Sequence, residues 1–184
     1  SLFDNTKRFL VAMRGIMPYA EGKYSLLIDK DQSSVGTIDD SIVTRDITIK
    51  SVTKNTKVNQ IKAKFANPGK RYEQDSVIWP PAGSTEETTF LSEDNNQVLS
   101  KELNLDTVTN FYQARELARV AVLASRKSSI TCNVVCTSEA LNYAVGDVIT
   151  LEQPSMGWTG ASAKDFRIVS MQLAKSGQVG LSLQ

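Results

Sequence analysis

At 184 residues, 41% hydrophobic and 22% charged, the chain carries enough apolar material for one domain or one and a half, and too much to stay disordered. A formal net charge of +1 gives no support to a general nucleic-acid or membrane binder, and no apolar run approaches the ~20 residues of a bilayer span. The histidine count of 0 excludes Ser-His-Asp and Cys-His nucleophile systems and every His-ligated metal site.

The pattern predicts a helix over residues 2–15, capped by Asp4 or Asn5. Leu10 and Met13 set its apolar spacing, Phe9, Ile16 and Met17 extend it, and Gly15 and Pro18 end it. Tyr24 to Ile28 reads as a short strand, 29–40 as a polar loop, and Ser41 to Val43 as a helical turn or a strand start. Arg45 to Thr53 alternates, with Ile47 and Ile49 on one face, and Lys54-Asn55-Thr56 is a turn. The next strand has Asn59, Ile61, Ala63 and Phe65 inside and Val58, Gln60, Lys62 and Lys64 outside. Asn67-Pro68-Gly69 ends it.

Residues 67–97 read as long and irregular, with Trp79-Pro80-Pro81 extended and a helical turn at Glu86 to Ser92. Val98 to Leu105 alternates again, with Leu103 and Leu105 inward. The clearest helix follows Thr109. Asn110 and Gln113 form a box-like start, and Arg126 and Lys127 suit its C-terminal dipole. Phe111, Ala114, Leu117, Ala118, Ala121 and Val122 share one face, thin enough to lie close on a sheet. The remainder is β: 130–137, 148–151, then a hairpin of 166–173 and 179–183 around Lys175-Ser176-Gly177. Val169, Met171 and Leu173, then Val179, Leu181 and Leu183, are expected to face inward.

Charge falls in blocks. Seven basic residues (Lys50, Lys54, Lys57, Lys62, Lys64, Lys70, Arg71) precede six acidic ones (Glu73, Asp75, Glu86, Glu87, Glu93, Asp94). They are solvated faces or complementary contacts, within or between subunits. Cys132 and Cys136 share a strand face about 13 Å apart, beyond the roughly 7 Å limit for a disulfide. They are expected as reduced core residues.

Phosphate-loop, dinucleotide and hydrolase-elbow motifs are missing from the sequence. The acid pairs Asp39-Asp40, Glu86-Glu87 and Glu93-Asp94 are weak candidates for a glycosidase couple. Asp29, Asp31, Ser33 and Asp40 fall on EF-hand positions, but Ser34 stands where that loop needs Gly, so a polar turn is expected. Tyr19, Tyr72, Trp79 and Trp158 are loop-adjacent aromatics that mark a carbohydrate or protein contact, or plug the ends of a β core.

Several stretches together resemble the tail hub and tip attachment proteins of tailed bacteriophages, the lambda-type tip attachment protein J family above all. They are Phe3-Asp4-Asn5 through Gly15 with Gly22 to Ile28; Val58 to Phe65 with Asn67-Pro68, Tyr72 and Asp75; Thr109 to Arg115; and Val145 to Ile149 with Gly157-Trp158. The resemblance implies an α+β fold: a β-rich, tube-forming hub domain with one packed helix, preceded by a smaller α+β segment. It suggests that 1–55 ends one hub domain and that 56–184 is a barrel-like tube domain with helix 110–126 packed on its sheet.

The same resemblance implies a trimeric, non-enzymatic ring that closes the tail tube, meets other tail tube and tip proteins and lets DNA pass. It implies no cofactor and no metal. It implies a place in the virion tail, after assembly in the host cytoplasm. Lys62, Lys64, Lys70 and Arg71 are then candidates for a DNA path or subunit contact, and Tyr72, Trp79 and Trp158 for interface aromatics. The alternative is a carbohydrate- or receptor-binding module of a phage tail. A start at Ser1 and a stop on a strand-like Leu181 to Gln184 lead one to expect a fragment of a larger protein.

Overall fold

A computed structural model describes residues 2–20, 22–45, 47–51, 57–127 and 130–184. The longer elements are helices α1 (Leu2–Met13), α2 (Thr85–Glu93) and α3 (Phe111–Lys127). The strands of the two larger sheets are β1 (Thr37–Ile38), β2 (Thr48–Ser51), β3 (Gln60–Asn67), β4 (Glu73–Trp79), β5 (Ser100–Leu105), β6 (Ile130–Cys136), β7 (Val148–Leu151), β8 (Lys164–Leu173) and β9 (Val179–Leu183). The fold is mixed α+β.

Two units form, Ser1–Met17 with Val52–Ser129 and Pro18–Ser51 with Ile130–Gln184. The chain passes between the two units three times, after residues 17, 51 and 129. The pairing of β2 with β6, Ser51 opposite Ile130, draws residues 48–51 into the second unit. The turn expected at Lys54-Asn55-Thr56 lies outside the described residues.

In the first unit β3 is central, antiparallel to β4 and parallel to β5. Its alternation buries Ile61, Ala63 and Phe65 and turns Lys62 and Lys64 to the other face. α3 lays Ala114, Leu117, Ala118 and Val122 on the buried face, and the alanines let the backbone approach closely. The helix thus packs on the sheet whose strands precede it in the chain. Asn110 caps it, its Oδ1 accepting from the backbone N–H of Tyr112 (2.8 Å) and Gln113 (3.4 Å). Gln113 does not complete a capping box: its amide donates to the Ala12 carbonyl at 3.1 Å.

The stretch expected to be irregular holds a seven-residue strand, β4, and a nine-residue helix, α2. Only Val77 and Trp79 of β4 are buried, so its alternation is faint. Ser84 caps α2 through its hydroxyl, which accepts from Glu87 N–H. At the other end of the unit α1 starts at Leu2, which puts Asp4 and Asn5 inside its first turn rather than at a cap.

The second unit is one six-stranded sheet in the order β1-β7-β8-β9-β6-β2. Its core holds Ile38, Cys132, Val134, Ile149, Leu151, Phe166, Ile168 and the expected Val179, Leu181 and Leu183. β1, inside the expected polar loop, pairs in parallel with β7 and buries Ile38 completely. The inward face expected for β8 changes partway. Phe166 and Ile168 are buried and Val169 exposed; after the register shift between Ile168 and Ser170 it is Met171 that packs against the core, and Leu173, at the strand end, is exposed. Residues 24–28 form two two-residue strands, Lys23–Tyr24 and Leu27–Ile28, rather than one.

Gly146 illustrates how tightly this unit is fitted. Its φ is +101°, and an added Cβ would lie 2.4 Å from Leu27 Cδ1. Gly146→Ala is expected to cost about 1–3 kcal/mol by chemical denaturation; an unchanged midpoint would show that Leu27 and the turn yield freely.

Candidate assembly surface

The outer face of the β4-β3-β5 sheet is polar. Its registered neighbours are Lys62 beside Ile78 and Glu102, and Lys64 beside Ser76 and Asn104. Lys64 Nζ reaches Glu102 Oε2 at 2.5 Å, and that hydrogen bond lowers the Glu102 carboxyl below its usual range. No side chain on this face is arranged as a nucleophile and base.

At the end of the β3–β4 hairpin stand Lys70, Arg71 and Tyr72. Asn67 organises the tip: its Oδ1 accepts from Gly69 N–H at 2.9 Å and its amide donates to Asp75 at 2.7 Å. Lys70 adds an ion pair to Asp75 at 3.2 Å. The Asp75 carboxyl is lowered first by Asn67, then by the Ser76 N–H and Lys70. Arg71 and Tyr72 both adopt left-handed backbone (φ 54° and 63°), and Tyr72 is 68% exposed. A recess of about 190 Å³ beside it is lined by Lys64, Phe65, Gln74 and Asp106.

The other two candidate aromatics go elsewhere. Trp79 is 5% exposed and packs on Phe90 with ring centres 6.0 Å apart. Trp158 is 8% exposed against Phe166 at 5.9 Å. In the single chain they are core side chains: Trp79 lies on the buried face of β4, and Trp158, in the loop between β7 and β8, packs into the core of the second unit. A receptor contact therefore retains only Tyr72 of the three.

The charge blocks partly satisfy each other within one copy. Lys70 of the basic block meets Asp75 of the acidic one, whereas Glu93 and Asp94 hold Arg126, which lies outside the basic block. Of the acid pairs, Asp39 accepts from the Ser41 N–H and hydroxyl, and Glu87 accepts from the Gly83 N–H. Asp29, first in the calcium-like pattern, pairs with Arg167 at 3.1 Å. Among the described residues no three His, Cys, Asp or Glu side chains group for a metal. Both cysteines are free and buried, and burial pushes the Cys136 thiol up to about 11.

The sequence reading missed a buried polar network. Asn59, 3% exposed, donates to Asp94 Oδ2 (3.0 Å) and the Gln97 carbonyl (2.7 Å), and its Oδ1 accepts from Leu99 N–H (2.7 Å). Arg126 closes it, 2.7 Å from Asp94. The only sequence signal was an asparagine on an otherwise apolar strand face.

This arrangement of sheets and helices recurs in tail proteins. A chain of the virion of a native gene transfer agent particle superposes with a TM-score of 0.65 at 13% identity, over 97% of this chain and 37% of that one. The tail protein from Neisseria meningitidis MC58 gives 0.57 at 14%, over 94% and 51%. The 43 kDa tail protein of prophage MuSo2 from Shewanella oneidensis gives 0.58 at 9%, over 99% and 51%. The fold is thus that of a phage-type tail protein, and the chain spans a third to a half of the length of these structures. No curated protein matches the sequence. A family model described as "Putative phage tail protein" matches residues 7–171, and the chain belongs to this family.

Proposed function

We propose that the chain is a structural part of a phage or prophage tail hub or tip attachment protein, of the lambda type. Copies assemble as a ring, three to a ring, that closes the tail tube and lets DNA pass. The work is assembly, not turnover. The protein meets other tube and tip proteins in the virion tail, after assembly in the host cytoplasm. In this reading Lys62 and Lys64 face the DNA path, and Lys70, Arg71 and Tyr72 face a subunit contact.

One observation carries it. β4 is a seven-residue strand at the edge of its sheet, beside an outer face that carries Gln60, Lys62, Lys64, Ser76, Ile78, Glu102 and Asn104. An open edge of that length pairs with another chain or needs protection from doing so. A polar face with few net charges suits a wall past which a polyanion slides.

The test is genetic and structural. Particles lacking the protein are expected to have no completed tails by electron microscopy; completed tails without it would sink the hub role. Particles carrying Lys62→Glu and Lys64→Glu are expected to build whole tails and deliver DNA more slowly. Delivery at the wild-type rate removes both lysines from the path.

A further inference from the structure

α2 is joined to the first unit through few side chains. None of its nine residues is buried. Phe90 packs against the core, its ring centre 6.0 Å from that of Trp79. The other attachments are polar and meet at Arg126 of α3. Its guanidinium lies 4.3 Å over the Phe90 ring, pairs with Asp94 at 2.7 Å and holds Glu93. Asn59 donates to the same Asp94 carboxylate at 3.0 Å.

The helix is nevertheless complete in itself. The Ser84 hydroxyl accepts from the Glu87 N–H, and the Glu87 carboxylate accepts in turn from the Gly83 N–H at 2.6 Å. Thr88 and Thr89 donate to the Ser84 and Thr85 carbonyls one turn back. Left-handed backbone bounds the helix on both sides, at Gly83 (φ +75°) and at Asn95 and Asn96 (φ 56° and 58°). Such element ends are where a segment absorbs a change of φ and ψ. An element with its own caps and few buried apolar contacts opens at less than the free energy of global unfolding.

The attachment is also charged. Arg126 from α3, Lys57 ahead of β3 and Glu93 of its own helix face Asp94. On the far side of Asn59 are only neutral groups, the Gln97 carbonyl and the Leu99 N–H, each at 2.7 Å. Burial raises the Asp94 carboxyl, but the hydrogen bonds from Arg126 and Asn59 leave it lowered. The attraction is therefore full above the unfolded value and fades as pH falls through the folded one.

We propose that α2 is a strap latched by Arg126: it opens from the first unit as one body while α3 and the β4-β3-β5 sheet stay folded, and acid releases it. Opening bares Trp79, which lies 5% exposed beside Phe90. The strap is independent of the ring reading and stands or falls without it.

The test is native-state hydrogen exchange on the full 184-residue chain, each rate divided by the intrinsic rate at its pH. At about pH 7 the amides of Thr88 to Asp94 are expected to share one opening constant, at least about tenfold larger than that of β3 and less dependent on denaturant. Amides of α2 that open with the constant and denaturant dependence of β3 overturn the strap. Going to about pH 3 is expected to raise the α2 constant, relative to β3, by a further factor of about ten or more. Asp94→Asn supplies the second measure, because it keeps an acceptor for Arg126 and Asn59 and removes the charge at every pH. At about pH 7 it is expected to open α2 about tenfold more readily than the wild type, and its response to acid to be blunted. Wild-type opening in the variant, with the acid response intact, overturns the latch.

Discussion

An Arg126→Met variant is expected to lose about 3 kcal/mol of stability, because it strands a nearly buried carboxylate. The Asp94 side chain is 10% exposed and that of Arg126 13%. Methionine preserves packing over the Phe90 ring, where the guanidinium lies 4.3 Å from the centroid, so the loss isolates the charge. Burial by itself would raise the Asp94 carboxyl. Hydrogen bonds from Arg126 and Asn59 outweigh it and hold the group below its ordinary 3.8.

A carboxyl lowered by folding stabilises above its unfolded value and loses that contribution as pH falls through the folded one. The difference between wild type and variant should therefore be full at about pH 7 and shrink below about pH 4. Urea midpoints across that range measure it. A difference constant down to the acid transition would assign the loss to packing instead.

Trp79→Ala is expected to cost about 3–5 kcal/mol, a large share of the roughly 5–15 kcal/mol that holds a typical domain. Trp79 sits opposite Ile61 on β3 and packs on Phe90 of α2, so its loss opens a cavity that the sheet cannot close. Denaturant unfolding followed by circular dichroism measures it, because the remaining Trp158 lies in the second unit and its fluorescence reports that unit. If stability is unchanged and binding to a cell-surface glycan is lost instead, Trp79 is a contact residue and the receptor reading gains.

What the sequence made legible were elements whose hydrophobic period and burial coincide. Ile61, Ala63 and Phe65 alternate into one core, and Ala114, Leu117, Ala118 and Val122 recur at helical spacing, so pattern alone located β3 and α3. Cys132 and Cys136 were legible as core residues for the same reason. β4 was not: Asp75 sits opposite Phe65, and its three apolar residues, Val77, Ile78 and Trp79, run consecutively and make no period. β1 has two residues, and the shift after Ile168 inverts a face that strict alternation would keep. The Asn59–Asp94–Arg126 network joins residues more than thirty positions apart, which no local pattern records. Trp79 and Trp158, flanked by proline and glycine, read equally as contact residues or as plugs of a β core, and tertiary packing buries both in the single chain.

The place of β9 in its sheet fixes an order of events on the ribosome. Val179–Leu183 lies between β8 and β6, at the middle of six strands, although it comes last of them in the chain. Translation proceeds from the N-terminus, so β1, β2, β6, β7 and β8 all emerge before the strand that joins their two halves. Until residue 183 has left the exit tunnel, the edges of β6 and β8 that will flank β9 stand unpaired. For that interval the nascent chain depends on its own sequence, or on a chaperone, to keep those edges from pairing with other strands.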